Sequence, residues 1–96
     1  MNSVEKKKLK AEAHPLKPVV IIGQAGLTAA VTKEINLALD AHELIKVKVR
    51  AEREERININ TQICSETAAE LIATIGQIAV LYRKNPNKKK VAKNIM

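Results

Sequence analysis

VVIIGQAGLTAAVTKEI, residues 19–35, passes from an unbroken apolar run through two glycines three apart into a helix-like pattern. Residues 19–22 are all β-branched and end at Gly23, which predicts a buried strand. Leu27, Val31, Ile35, Ala38 and Leu39 then recur at helical spacing as far as His42, while Lys33, Asn36 and Asp40 face away. A strand, a glycine turn and a helix in that order open a crossover unit, so a second strand is expected next.

Residues 44–50 supply it. Ile45, Val47 and Val49 alternate with Lys46, Lys48 and Arg50, the pattern of a half-buried strand that projects three cations from one face. Residues 52–67 carry two periods at once. Ile57 and Ile59 alternate like a strand, whereas Ile59, Ile63 and Thr67 fit a helix stripe and the acidic start suits a helix N-terminus; the segment is read as helix. Residues 71–75 and 78–83 flank Gly76 and Gln77, a two-residue hairpin signal with glycine first. Upstream, Ser3 is a candidate cap for a helix through about Ala13, with Leu9 and Ala13 on one side and Lys6, Lys7, Lys8 and Lys10 elsewhere around it. Pro15 and Pro18 end it.

The expected order is therefore α-β-α-β-α-β-β, a single-domain α/β fold: a mixed four-stranded sheet with three helices largely on one face. The other face is expected to be open and basic at the second strand. Residues 1–84 form the expected domain, and NPNKKKVAKNIM reads as a basic C-terminal tail over residues 85–96 with little to bury.

The 96-residue chain carries 17 Lys and Arg against 10 Asp and Glu, a net charge of +7 that favours a polyanionic partner. Most of the excess lies at the ends, for residues 83–96 hold six basic side chains and no acid. One cysteine, Cys64, excludes an internal disulfide and suits a reducing compartment; it reads as a small core or boundary residue. His14 and His42 lack partners at metal-ligand spacing. No apolar run has the length of a membrane span, and residues 1–10 lack a signal-peptide core, so a cytoplasmic protein with no membrane partner is expected. Tyr82 is the only aromatic residue, which excludes the common aromatic stacking sheet of single-strand readers.

Between strand and helix, Gly23, Gln24, Ala25 and Gly26 form a turn that lets another molecule approach the backbone. The following helix offers unpaired N–H groups and a positive dipole end, and Thr28 is placed to cap it or to donate to the same anion. For the tetrapeptide alone, a glycine needed merely to turn is the stronger reading; the surrounding charge changes the odds. Three basic groups are expected to converge on the loop: the lysines of the first helix, Lys17, and Lys46, Lys48 and Arg50. Walker and dinucleotide fingerprints are absent. Glu52, Glu54 and Glu55 complement a helix dipole, and with no nucleophile or metal cluster beside them no enzyme, cofactor or small-molecule substrate is expected.

AHPLKPVVIIGQAGLT, ALDAHELIKVKV and IGQIAVLYR, in this order, resemble the signature blocks of the YhbY family, the stand-alone bacterial form of the CRM domain (chloroplast RNA splicing and ribosome maturation). The resemblance runs from about residue 6 to residue 83. It implies a fold similar to the C-terminal domain of translation initiation factor three, a KH-like GxxG loop, and an RNA-binding protein that associates with large-ribosomal-subunit precursors. It places the loop on Gly23, Gln24, Ala25 and Gly26, and the basic surface on the first-helix lysines and second-strand cations. It also supports a helix at residues 52–67. Many family members have a basic residue where this chain has Gln24, leaving backbone N–H donation as the loop's contribution; Asn58 and Asn60 stand where apolar residues are expected. A monomer acting on ribosomal RNA is the expected form, with a general DNA- or RNA-coating protein as the alternative.

Overall fold

A computed structural model of the chain describes residues 2–84. The elements follow the expected order: α1 (Ser3–Ala13), β1 (Val20–Ile22), α2 (Ala29–His42), β2 (Leu44–Val49), α3 (Arg53–Thr67), β3 (Glu70–Ile75) and β4 (Ile78–Tyr82). The strands form one mixed sheet in the order β1-β2-β4-β3. β1 runs parallel to β2, with Val20 opposite Val47, and the other two pairings are antiparallel. The basic segment at residues 85–96 lies outside the described residues.

The alternation in β2 sorts its side chains as predicted: Ile45, Val47 and Val49 are buried, and Lys46 and Lys48 lie half-buried on the reverse face. The buried row packs under α2 through Ile35 and Leu39 and under α3 through Ile59 and Ile63, joined by Val20, Ile22 and Leu81. In α3 the helical stripe prevails over the strand-like alternation. Ile59, Ile63 and Thr67 are buried at four-residue spacing, whereas Ile57 is 55% exposed. Glu54 and Glu55 occupy the first turn, where carboxylates favour the helix dipole. The helix ends at Ala68 in the left-handed region, with the Thr67 hydroxyl donating to the Ile63 carbonyl at 2.7 Å.

Three local expectations are corrected. Asn2, not Ser3, caps α1, its Oδ1 accepting from the Glu5 amide at 2.8 Å. β1 is buried on one face only, because it is an edge strand: Ile22 is fully buried, but Val19 and Ile21 are 49% and 55% exposed. The reverse face of the sheet is only half open. α2 and α3 share one face as expected, while α1 crosses the other, placing Ala13 against Ile72 and Val80 with Leu9, Leu44 and Tyr82 around them. A bulge between Leu71 and Ala73 sets Ile72 and Ala73 together opposite Val80, so both contribute to this second, smaller core.

Arg83, just beyond β4, ties the layers together. Its guanidinium donates to Asn36 Oδ1 and the Thr67 carbonyl at 2.7 Å each, to the Asn36 carbonyl at 3.2 Å and to Asp40 Oδ1 at 2.7 Å. One fork thus joins the end of β4 to α2 and to the last turn of α3.

Candidate nucleic-acid interface

Parallel pairing of β1 with β2, followed by a hairpin antiparallel to β2, brings several connections to one end of the sheet. The Arg50 amide donates to the Ile22 carbonyl at 2.9 Å, and the Val49 amide to the Gln77 carbonyl at 2.7 Å. The glycine loop, Arg50 and the hairpin turn are therefore neighbours, and both α2 and α3 begin here.

Residues 23–26 form a tight turn closed by the Gly26 amide donating to the Gly23 carbonyl at 3.1 Å. The two glycines have different physical reasons. Gly26 sits at φ +73°, where a side chain is strained. Gly23 is not in that region, and a Cβ there would meet nothing within 4 Å. Neither backbone conformation nor packing requires glycine at position 23. Gln24 and Ala25 are exposed beside it.

Thr28 caps α2, its Oγ1 accepting from the Val31 amide at 3.2 Å. The first-turn amides of Ala29 and Ala30 have no carbonyl one turn back within the helix, so the helix presents donors and a positive dipole end at the loop. This arrangement suits a phosphate oxygen.

The predicted cations separate into groups. Arg50 is exposed next to the turn, and Lys48 is one residue pair back on the open sheet face. Lys46 Nζ donates to the His14 carbonyl at 3.1 Å, holding the end of α1 over β2. Within α1, Lys6 is half-buried on the stripe of Leu9 and Ala13, while Lys8 shares a flank with Glu5, Glu12 and Tyr82. Lys7 and Lys10 occupy the opposite flank with His14. Lys17 does not converge on the loop. It lies at the other end of β1, in a cleft of about 720 Å³ beside Glu12, His42 and Glu43.

Arg53 and Arg56 are further cations at this end, outside the set expected from the sequence. They flank a cleft of about 160 Å³ between α3 and the hairpin turn, and Arg56 Nη1 donates to the Ala51 carbonyl at 2.7 Å. The signal was available: loops leaving the C-terminal ends of parallel neighbours fall at one end of a sheet. Asn60 lines the same cleft, 6% exposed, with its Oδ1 unpaired. Burial pushes the Cys64 thiol up, the Glu70 carboxylate adds to this and a hydrogen bond with the Leu71 backbone opposes it, which suits a protonated packing residue. Among the described residues no His, Cys, Asp and Glu group is placed to hold a metal ion, and no helix is long and apolar enough to cross a membrane.

The fold and the site define a class: a small α/β domain whose glycine turn feeds a helix N-terminus in a cationic surround. The chain belongs to the CRS1 / YhbY (CRM) domain family, whose model matches residues 1–83. A Haemophilus influenzae relative named "RNA-binding protein" is 48% identical over 90 residues, covering 93% of this chain and 91% of that protein. A Pseudomonas aeruginosa relative, named a probable RNA-binding protein, is 44% identical over 92 residues, covering 95% and 88%. The solution structure of a Staphylococcus aureus hypothetical protein is similar with a TM-score of 0.81 at 28% identity, covering 94% of this chain and 95% of that one.

Proposed function

We propose that this protein binds RNA backbone through the turn at residues 23–26 and the start of α2, and that its RNA is that of large-ribosomal-subunit precursors in the cytoplasm. The observation that carries the reading is Gly23. Its glycine is not demanded by φ or by packing, and it opens the exposed turn that leads into the start of α2, whose free amides suit a phosphate. Family membership and the names of the relatives support RNA as the polyanion.

In this reading Lys48 and Arg50 extend the contact from the loop across the sheet end, and Lys7 and Lys10 add charge from α1. Residues 1–84 are the binding module, and the four lysines among residues 85–96 add affinity without sequence preference. The protein acts as a monomer by binding, with no catalytic step and no cofactor.

The test is sedimentation of untagged protein from cell extract at low and raised salt. Salt-sensitive migration with large-subunit precursors supports the assembly role; migration only at the top of the gradient defeats it. Titration of ribosomal RNA and duplex DNA at equal salt then separates an RNA binder from a general nucleic-acid coat, because 2′-hydroxyls and A-form shape distinguish the two.

A further inference from the structure

The pairing registers place Ile21 beside Lys48, Lys48 beside Ile78 and Ile78 beside Ile75. These four side chains therefore form one row across all four strands, on the face that α1 crosses. α1 covers the other half of this face through Val80, Leu44 and Tyr82, but not this row: Ile21 is 55% exposed, Ile75 is 50% exposed, and Ile78 and Lys48 are half-buried. At an inter-strand spacing of about 4.8 Å the row spans roughly 14 Å.

Cations border it on both sides. Gly23 and Arg50 directly follow the row at the loop end. On the other side α1 ends over Lys46, with Lys7 and Lys10 on the flank away from Glu5, Glu12 and Tyr82. A floor of three isoleucines with Lys48 among them, set between two positive rims, fits a strand that carries charge on its backbone and apolar surface on its bases.

We infer that this row receives unpaired bases of the RNA whose backbone the loop holds, so that the protein selects single-stranded or looped RNA over fully paired RNA; the inference rests on the RNA-binding reading above. A duplex keeps its base faces stacked and presents phosphates and sugars, which the rims engage and the isoleucines do not. Aliphatic side chains replace the aromatic platform by dispersion and burial, giving base contact without strong sequence preference. A second copy of the chain is a poorer occupant. Three partly exposed isoleucines fall far short of the roughly 800 Å² per partner of a stable interface.

The experiment uses the full chain and two RNA hairpins of equal nucleotide number closed by the same short terminal loop, one with a fully paired stem and one whose stem carries an unpaired internal loop, titrated by fluorescence anisotropy. The wild type is expected to prefer the looped hairpin. Ile21→Thr with Ile75→Thr keeps β-branching and charge. It should weaken looped-RNA binding by about five- to tenfold, change paired-RNA binding by less than about twofold, and leave the salt slope unaltered. Each single variant, checked by thermal unfolding, should show part of the loss with the fold intact. Equal wild-type affinity for both hairpins, or equal losses on both, overturns the inference while leaving RNA binding in place. A wild type that binds neither hairpin overturns both readings. A concentration-dependent dimer that the Thr variants dissociate assigns the row to self-association and likewise overturns it.

Discussion

Arg83 and Arg50 lie at opposite ends of the same sheet and use the same side chain in opposite ways. Arg83, its side chain 21% exposed, directs its fork at four protein acceptors on two helices. Arg50 anchors only its backbone, to Ile22, and its side chain stands in solvent beside the glycine turn. The left-handed positions follow the same division: Gly26 and Gly76 at the loop end, Glu43 and Ala68 at the other. One end is closed by its own contacts, and the other leaves backbone donors and a cationic side chain exposed.

The most disruptive way to break this comparison is Arg83→Ala. It leaves the Asn36 and Thr67 carbonyls without their charged donor, and a loss of about 3 kcal/mol is expected from urea unfolding. Little of that comes from Asp40, whose side chain is 61% exposed. Arg83→Lys should recover only a small part, since an ammonium cannot reproduce the planar fork. RNA affinity of the folded fraction should hold. An unaltered unfolding midpoint with lost RNA binding would place Arg83 at the interface and erase the contrast.

Gly23→Asp sharpens it from the loop end. The side chain enters open space, so unfolding should shift by less than about 0.5 kcal/mol, while repulsion of phosphate lowers RNA affinity at least tenfold, about 1.4 kcal/mol. Gly26→Asp should lose both properties, because φ +73° adds roughly 1 kcal/mol of backbone strain. Full RNA affinity in Gly23→Asp would remove the turn from the interface.

Smaller effects are expected from Arg50→Gln and Lys48→Gln. Each should lower the slope of log affinity against log salt by about 0.7 to 0.9, one phosphate contact, with no change in stability. Lys17→Gln should leave the slope unchanged, since Lys17 lies among Glu12, His42 and Glu43. Equal slopes for all three variants would mean that charge acts through the whole molecule and not at one end.

The two ends were not equally legible in the sequence. β2 could be read because its alternation has one solution, and α3 because Ile59, Ile63 and Thr67 form a stripe that Ile57 cannot join. The glycine turn and Arg50 were legible for the same reason: both lie at element ends the periodicity fixes. The face chosen by α1 was not, since the thin stripe of Leu9 and Ala13 fits either side of a sheet, and neither was the edge position of β1, which only the strand order sets. The role of Arg83 was hidden because it depends on Asn36, 47 residues away, and on a carbonyl, which has no sequence signature. Arg53 and Arg56 were obscured by Glu52, Glu54 and Glu55, which direct attention to the helix dipole.

The smallest expected effect separates the ends by backbone alone. Ala68 closes α3 at φ 59° and ψ 22°, next to Thr67, whose carbonyl Arg83 holds. A left-handed alanine costs about 1 kcal/mol relative to glycine, and the greater freedom of an unfolded glycine returns part of that difference. Ala68→Gly should therefore stabilise the protein by up to about 0.5 kcal/mol and leave RNA affinity untouched, whereas Gly76→Ala, at φ 57°, should destabilise it by a similar amount. If Ala68→Gly instead loosens the protein, the methyl contributes packing that outweighs its strain. The closed end would then be held by side-chain contact as well as by the Arg83 fork, and the open end would be the only place where glycine is used for its conformation.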